Sequence, residues 1–318
     1  MRIIKPSVTY VPQYNIYDHI ARAAKICYAT EEVNDTKKFV EKLIKAGHVS
    51  MLRHGTIYFI RPNEEWDFIE KYKANNFSSV NEDSSMSFIT TNMQVIHDNG
   101  WYADLERAEN YPFVPKNCQT TYPLYPAGFN NMRYTFEVIT QISTSRELNR
   151  TSPNNIAEQS TRYCNFAKNK FGNEITICQP HWFDIDPNRF KEEAHYKWED
   201  NVHWIKLDDD VWKPMIDEDF VINKDGYRNY SLNNILWGWY KANEVYMGLT
   251  ADGMLAQDAR EMLPLATATK CAYTYTINEW RNIIDLRYYG TTGAPHPNAK
   301  IIAGMIREEL IKLGHEFR

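Results

Sequence analysis

The sequence predicts an α+β fold, a central, mostly antiparallel sheet flanked by helices. Three observations carry this. Apolar side chains recur three and four apart in some segments and two apart in others. Helical and strand-like segments intermix without strict βαβ alternation. The 318-residue chain is 43% hydrophobic and 14% aromatic, enough to bury a large core.

In chain order, residues 16–28, IYDHIARAAKICY, space their apolar positions as a helix. Residues 36–46 do the same, with Gly47 as the stop. TIYFIR (56–61) alternates like a half-buried strand. Residues 63–122 are polar with few periodic runs, and read as an excursion with short helices. RYTFEVITQI (133–142), β-branched and aromatic throughout, is the clearest strand. TSRELNR follows as a short helix, then a loop. Residues 181–226 carry 13 Asp and Glu against 6 Lys and Arg, with four tryptophans. They suit a surface insertion with its own aromatic cluster, or a lid or partner surface. Residues 231–262 read as one or two long helices, CAYTYTI (271–277) as a strand, and 279–287 and 298–313 as helices.

The net charge of −5 argues against a general nucleic-acid binder. No apolar run is long enough to span a membrane, and the N-terminus lacks a signal-peptide core. Five scattered cysteines (27, 118, 164, 178 and 271), never in CxxC spacing, read as reduced thiols of a cytoplasmic protein. The 13 glycines form no GxG, and no GK[ST] occurs, so a glycine cradle for phosphates is not expected.

The segment SRELNRTSPNNIAEQSTRYCNF (145–166) is dense in arginine, carboxylate, amide and hydroxyl groups. A solvated loop has this composition, and so does a pocket that grips a phosphorylated ligand. Arg150, Arg162, Arg260 and Arg287 suit the second reading because guanidinium forks match phosphate geometry; each also suits an ordinary surface. His48 and His54 lack a convincing third metal ligand, so no metal site is expected. They fit the hydrogen-bonding wall of a ligand site or structural roles. Cys164 fits an inert buried thiol better than a nucleophile.

Six segments, in order, resemble one family, the flavin-dependent thymidylate synthases (ThyX). RTSPNNIAEQSTRY is similar to the family pattern RHRxxSxNExSxRY, with Arg150, Glu158, Ser160, Arg162 and Tyr163 in register. ARAAKICYAT and GHVSMLRHGTIYF resemble AARVCYAS and GHxSxxEHxxFTF. AREMLPLATATK resembles ARxVLPxxxxT, and NEWRNIIDLR and APHPNAKIIAGMI resemble the closing helices. The resemblance implies one ThyX-like domain over 1–318, with insertions at about 63–118 and 190–230. Departures concentrate on the flavin side. Thr151 replaces a histidine and Ser152 an arginine, Asn155 a serine and Ala157 an asparagine. Arg53 stands for a glutamate, and Thr276 and Asn278 for a common asparagine and arginine.

By that resemblance, dUMP is held by Glu147, Arg150, Glu158, Gln159, Ser160, Thr161, Arg162, Arg260 and Arg287. FAD is held by Ser50, His54, Arg150, Thr151, Ser152, Glu158, Thr276, Asn278 and Asn282, with altered contacts. The implied reaction is reductive methylation of dUMP to dTMP in a homotetramer. NADPH and methylenetetrahydrofolate are the co-substrates, and Arg287 is the catalytic cation that stabilises charge on the uracil. A dUMP hydroxymethylase on the same scaffold, or a nucleotide- or flavin-binding paralogue without turnover, stays open.

Overall fold

The protein is described from a computed structural model, covering residues 1–29, 33–109, 122–151, 155–185, 193–207, 211–215, 221–223 and 229–318. The expected α+β architecture is present, with sheets that, among the described residues, are antiparallel in all but one pairing.

The central sheet has four antiparallel strands in the order Ser7–Val11, Arg133–Gln141, Ala268–Thr276 and Ile156–Glu158. Arg133–Gln141 is buried on both faces along almost its whole length, which is why its sequence is β-branched and aromatic rather than alternating. Tyr134, Phe136 and Val138 meet Tyr273 and Tyr275 on one face, under Trp280 and the Pro297–Lys312 helix.

The other face receives the Ile16–Tyr28 helix. Asn15 caps it, its side chain accepting from the Tyr17 and Asp18 amides, which satisfies two orphan donors of the first turn. Its small residues Ala23 and Ala24 are buried, and Ala23 packs on Ala157 and Ala272 of the sheet. The helix also closes on Gly55, where a Cβ would stand 2.6 Å from Ile20 Cδ1. Polar bonds complete the docking. Arg22 Nε donates to Glu137 at 2.5 Å and Lys270 Nζ pairs with the same carboxylate at 2.6 Å.

Two stretches differ from the sequence reading. Residues 63–122 contain strands as well as short helices. Met86–Asn92 pairs with Thr56–Pro62 on one side and Ser79–Glu82 on the other in a three-stranded sheet, and Phe68, Ile69, Tyr72, Ile89, Met93 and Ile96 share a core with the first helix. Pairing with other strands, not periodicity within each one, stabilises them, so pattern reading passed over them. Residues 193–199, 202–206 and 212–214 extend a five-stranded sheet built on Arg2–Ile4 and Thr176–Cys178. Of the tryptophans expected to form a cluster of their own, Trp182 and Trp198 pack instead, with Trp239 from the following helix, against a main core that includes Ile3, Ile177 and Tyr196. The Asn229–Ala251 helix covers that core.

Candidate active site

The central strand Arg133–Gln141 runs directly into the Ile142–Asn149 helix. A helix turns about 100° per residue, so Ile142, Ser145 and Arg146 share one face. That face forms one wall of a cleft of about 620 Å³. The floor is Glu158, from the short strand Ile156–Glu158 that interrupts the expected loop, and Thr269 from the neighbouring strand. The far wall is Gln159, Ser160 and Thr161, and the Arg260–Leu265 segment closes the cleft.

Local bonds hold this arrangement. The Gln159 amide donates to the Lys270 carbonyl at 2.9 Å and the Ser160 amide to the Cys27 carbonyl at 3.0 Å. The Ser160 carbonyl accepts from the Cys164 amide at 2.9 Å and its Oγ from the Arg162 amide at 3.2 Å, so Ser160 starts a tight turn. Cys164 is fully buried, and burial pushes its thiol up, which makes it an anchor rather than a nucleophile.

Glu158 organises the floor. One carboxylate oxygen accepts from Ser145 Oγ at 2.7 Å and Thr269 Oγ1 at 3.2 Å, and the other from Asn149 Nδ2 at 3.3 Å. Tyr273 donates to Asn149 Oδ1 at 3.0 Å. Burial, reinforced by nearby negative groups, pushes the Tyr273 phenol and the Cys271 thiol up, so both stay protonated donors behind the floor.

The implied nucleotide residues fall into two groups. Glu158, Gln159, Ser160, Thr161 and Arg260 line the cleft. Arg162 stands beside them, its Nε 3.3 Å from Gln257 Oε1 in the turn preceding Arg260, and its guanidinium over the Tyr163 ring. Glu147, Arg150 and Arg287 form the second group and do not line the cleft. Glu147 is an internal anion there, 3.9 Å from Arg150 and 3.7 Å from Arg287 Nη2, and its carbonyl accepts from Arg287 Nε at 2.9 Å. Sequence reasoning missed Ser145, Arg146 and Thr269. The helical spacing from Ile142 contained the signal for the first two.

The implied flavin residues are more scattered. Ser50, Arg150, Asn278 and Asn282 are exposed polar side chains. Thr151 spends its hydroxyl on the Leu148 carbonyl, and Thr276 caps its helix in a reciprocal pair with Glu279. His54 is fully buried, with Nδ1 2.8 Å from Thr274 Oγ1 and Nε2 without a partner among the described residues. Burial lowers its pKa to about 3, so it is neutral. Ser152 lies outside the described residues. Among the exposed ones, Arg150 offers a guanidinium and Ser50, Asn278 and Asn282 neutral hydroxyl and amide groups, which are donor types that phosphate, ribose and ring edges of a flavin accept from.

A family model described as thymidylate synthase complementing protein matches residues 126–313. No curated protein matches the chain. Among solved structures, it is similar to a UMP/dUMP methylase, PolB, from Streptomyces cacaoi. With the 5-Br UMP complex, identity is 13%, coverage 98% of this chain and 91% of the other, and TM-score 0.42. With the 5-Br dUMP complex, identity is 15%, coverage 98% and 93%, and TM-score 0.42.

Proposed function

The chain belongs to the thymidylate synthase complementing protein family, and from that premise we propose that it is an enzyme that modifies dUMP, by flavin-dependent reductive methylation to dTMP with methylenetetrahydrofolate and NADPH. The observation that carries this reading is the convergence of Glu158–Thr161 and Arg260, about a hundred residues apart in sequence, on one open polar cleft.

The cleft's own charges are Arg146 and Arg260 against Glu158 and Glu261, two positive and two negative, hence zero. A phosphate monoester carries nearly two negative charges near neutral pH. More cations are therefore needed, and Arg162 at the rim supplies one. Arg150 and Arg287 sit apart from the cleft in the same chain; the reading places them at it in a homotetramer, where a neighbouring copy brings them.

In that assembly the hydroxyls of Ser160 and Thr161 and the guanidinium groups of Arg162 and Arg260 bind phosphate. Glu158 and Gln159 orient the nucleoside. Arg287 stands at the uracil, where a fixed cation stabilises negative charge as C5 attacks the one-carbon unit. Ser50, Arg150, Asn278 and Asn282 would hold a flavin, which would supply a hydride drawn from NADPH. No enzyme nucleophile is required, in keeping with the buried, protonated state of Cys164 and Cys271.

Local use of the Thr151 and Thr276 hydroxyls favours one second reading, a hydroxymethylase in which water rather than hydride captures the transferred carbon. Purification without added cofactor, an absorbance spectrum, and mass spectrometry of dUMP incubated with both co-substrates test the proposal. A flavin band and dTMP are expected. A 5-hydroxymethyl product selects the second reading, and neither product nor NADPH oxidation selects a binding protein without turnover.

A further inference from the structure

A second cavity, of about 480 Å³, lies at the opposite end of the Arg133–Gln141 strand and shares no lining residue with the cleft. Its walls are mainly apolar, and Tyr10, Tyr14, Tyr58, Tyr134 and Phe129 give them an aromatic face. Among the described residues, Arg133 is the one charged side chain in the lining, and no carboxylate lines it.

Arg133 is 9% exposed. Its Nη1 donates to Thr56 Oγ1 at 3.1 Å, and its Nη2 to the carbonyls of Arg53 at 3.0 Å and Thr274 at 3.2 Å. All these acceptors are neutral. Further N–H groups, Nε among them, have no acceptor among the described residues. The carboxylate of Glu279 acts on Arg133 only from a distance: it lies outside the lining and accepts from the Thr276 amide at 2.7 Å and hydroxyl at 3.0 Å. Behind Arg133 the buried network is also neutral. His19, Thr135, Thr274 and His54 form a chain of hydrogen bonds at 2.8, 2.7 and 2.8 Å. Burial and the adjacent guanidinium keep both histidines uncharged.

A buried cation with only neutral acceptors in contact is costly, and an anion that meets it offsets that cost. We propose that this cavity is a binding site for a planar aromatic carboxylate. The guanidinium fork receives the carboxylate and the tyrosines and Phe129 enclose the ring. A monoanion leaves the cavity neutral, whereas a phosphate dianion leaves a buried excess of negative charge, so a carboxylate fits the single arginine better. The volume lies within the usual range for small-molecule sites, roughly 300–1,000 Å³. This site stands independently of the nucleotide reading.

Calorimetric titration of the full chain with 2-naphthoate and its neutral isostere 2-naphthamide tests it. Saturable binding of the acid is expected, with the amide weaker by about tenfold or more, the scale of one lost charge-assisted contact. Arg133→Gln should remove the difference. Tyr14, half-exposed at the mouth, provides a variant that leaves the interior intact. Tyr14→Ala should weaken naphthoate several-fold and leave dUMP titration unchanged. Equal binding of acid and amide, no binding of either, or displacement of naphthoate by dUMP overturns the proposal. Failure of dUMP to bind leaves the naphthoate result readable.

Discussion

Replacing Arg260 by alanine isolates the contribution of one guanidinium to nucleotide binding. Arg260 is exposed, lines the cleft, and its guanidinium makes no ion pair with another described residue. Its removal therefore breaks nothing inside the protein, and stability should change by no more than about 0.5 kcal/mol. A charge-assisted hydrogen bond to a ligand is worth about 1.5–3 kcal/mol. At about 1.4 kcal/mol per factor of ten, dUMP affinity should fall roughly 10- to 150-fold. Deoxyuridine, which lacks the phosphate, should bind wild type and Arg260→Ala alike. Calorimetry at low and high salt measures both ligands, and the gap for dUMP should shrink as salt screens the pair. A urea titration confirms that the variant is folded. Unchanged dUMP affinity in a folded variant, or an equal loss for deoxyuridine, would refute a phosphate role for Arg260.

Arg287→Ala should keep flavin and lose turnover by about a hundred- to a thousandfold, corresponding to about 2.7–4 kcal/mol for one preorganised donor; single-turnover kinetics on flavin-loaded protein reads this, and unchanged turnover removes the assignment. Glu147→Gln withdraws the internal anion from Arg150 and Arg287. Because both pairs are partly exposed and worth about 0.2–1 kcal/mol, dUMP should bind about two- to fivefold tighter by equilibrium dialysis. Glu137→Gln should lower stability at neutral pH by about 2 kcal/mol, since two charge-assisted bonds become ordinary ones. Burial pushes the Glu137 carboxyl up, but Arg22 and Lys270 outweigh it and hold it below the usual range. Its stabilisation is thus present above the unfolded carboxyl value of about 4.3 and is lost as pH falls through the lower folded value. Denaturant midpoints should therefore converge in acid, and a pH-independent gap would count against an ionic origin.

Much of the fold was legible residue by residue. The Ile16–Tyr28 helix has its predicted bounds because Asn15 and the spacing of Ile16, Ile20, Ala23 and Ala24 are local signals. The central strand was equally plain, because burial on both faces demands a continuous run of strand-forming residues. Met86–Asn92 was not legible: its partners lie at Thr56–Pro62 and Ser79–Glu82, and nothing within the strand names them. In the candidate site, the motif from Glu158 to Arg162 pointed to the cleft wall. Arg146 went unnoticed beside Glu147 because neighbouring helix positions point in different directions, and only the fold decides which direction meets the cleft.

The amino-acid order by itself determined the α+β class, the family and the arginine-rich segment, because periodicity and motif spacing are properties of neighbours in the chain. Tertiary structure alone decided that Arg260 joins Glu158–Thr161 while Arg287 is drawn to Glu147, and that His54 is sealed in the core. It also decided that Arg133 is the lone charged side chain, among the described residues, in the lining of a largely apolar cavity. The physical reason is that electrostatic partnership and burial depend on distance in space, which long-range strand pairing sets and local sequence does not encode.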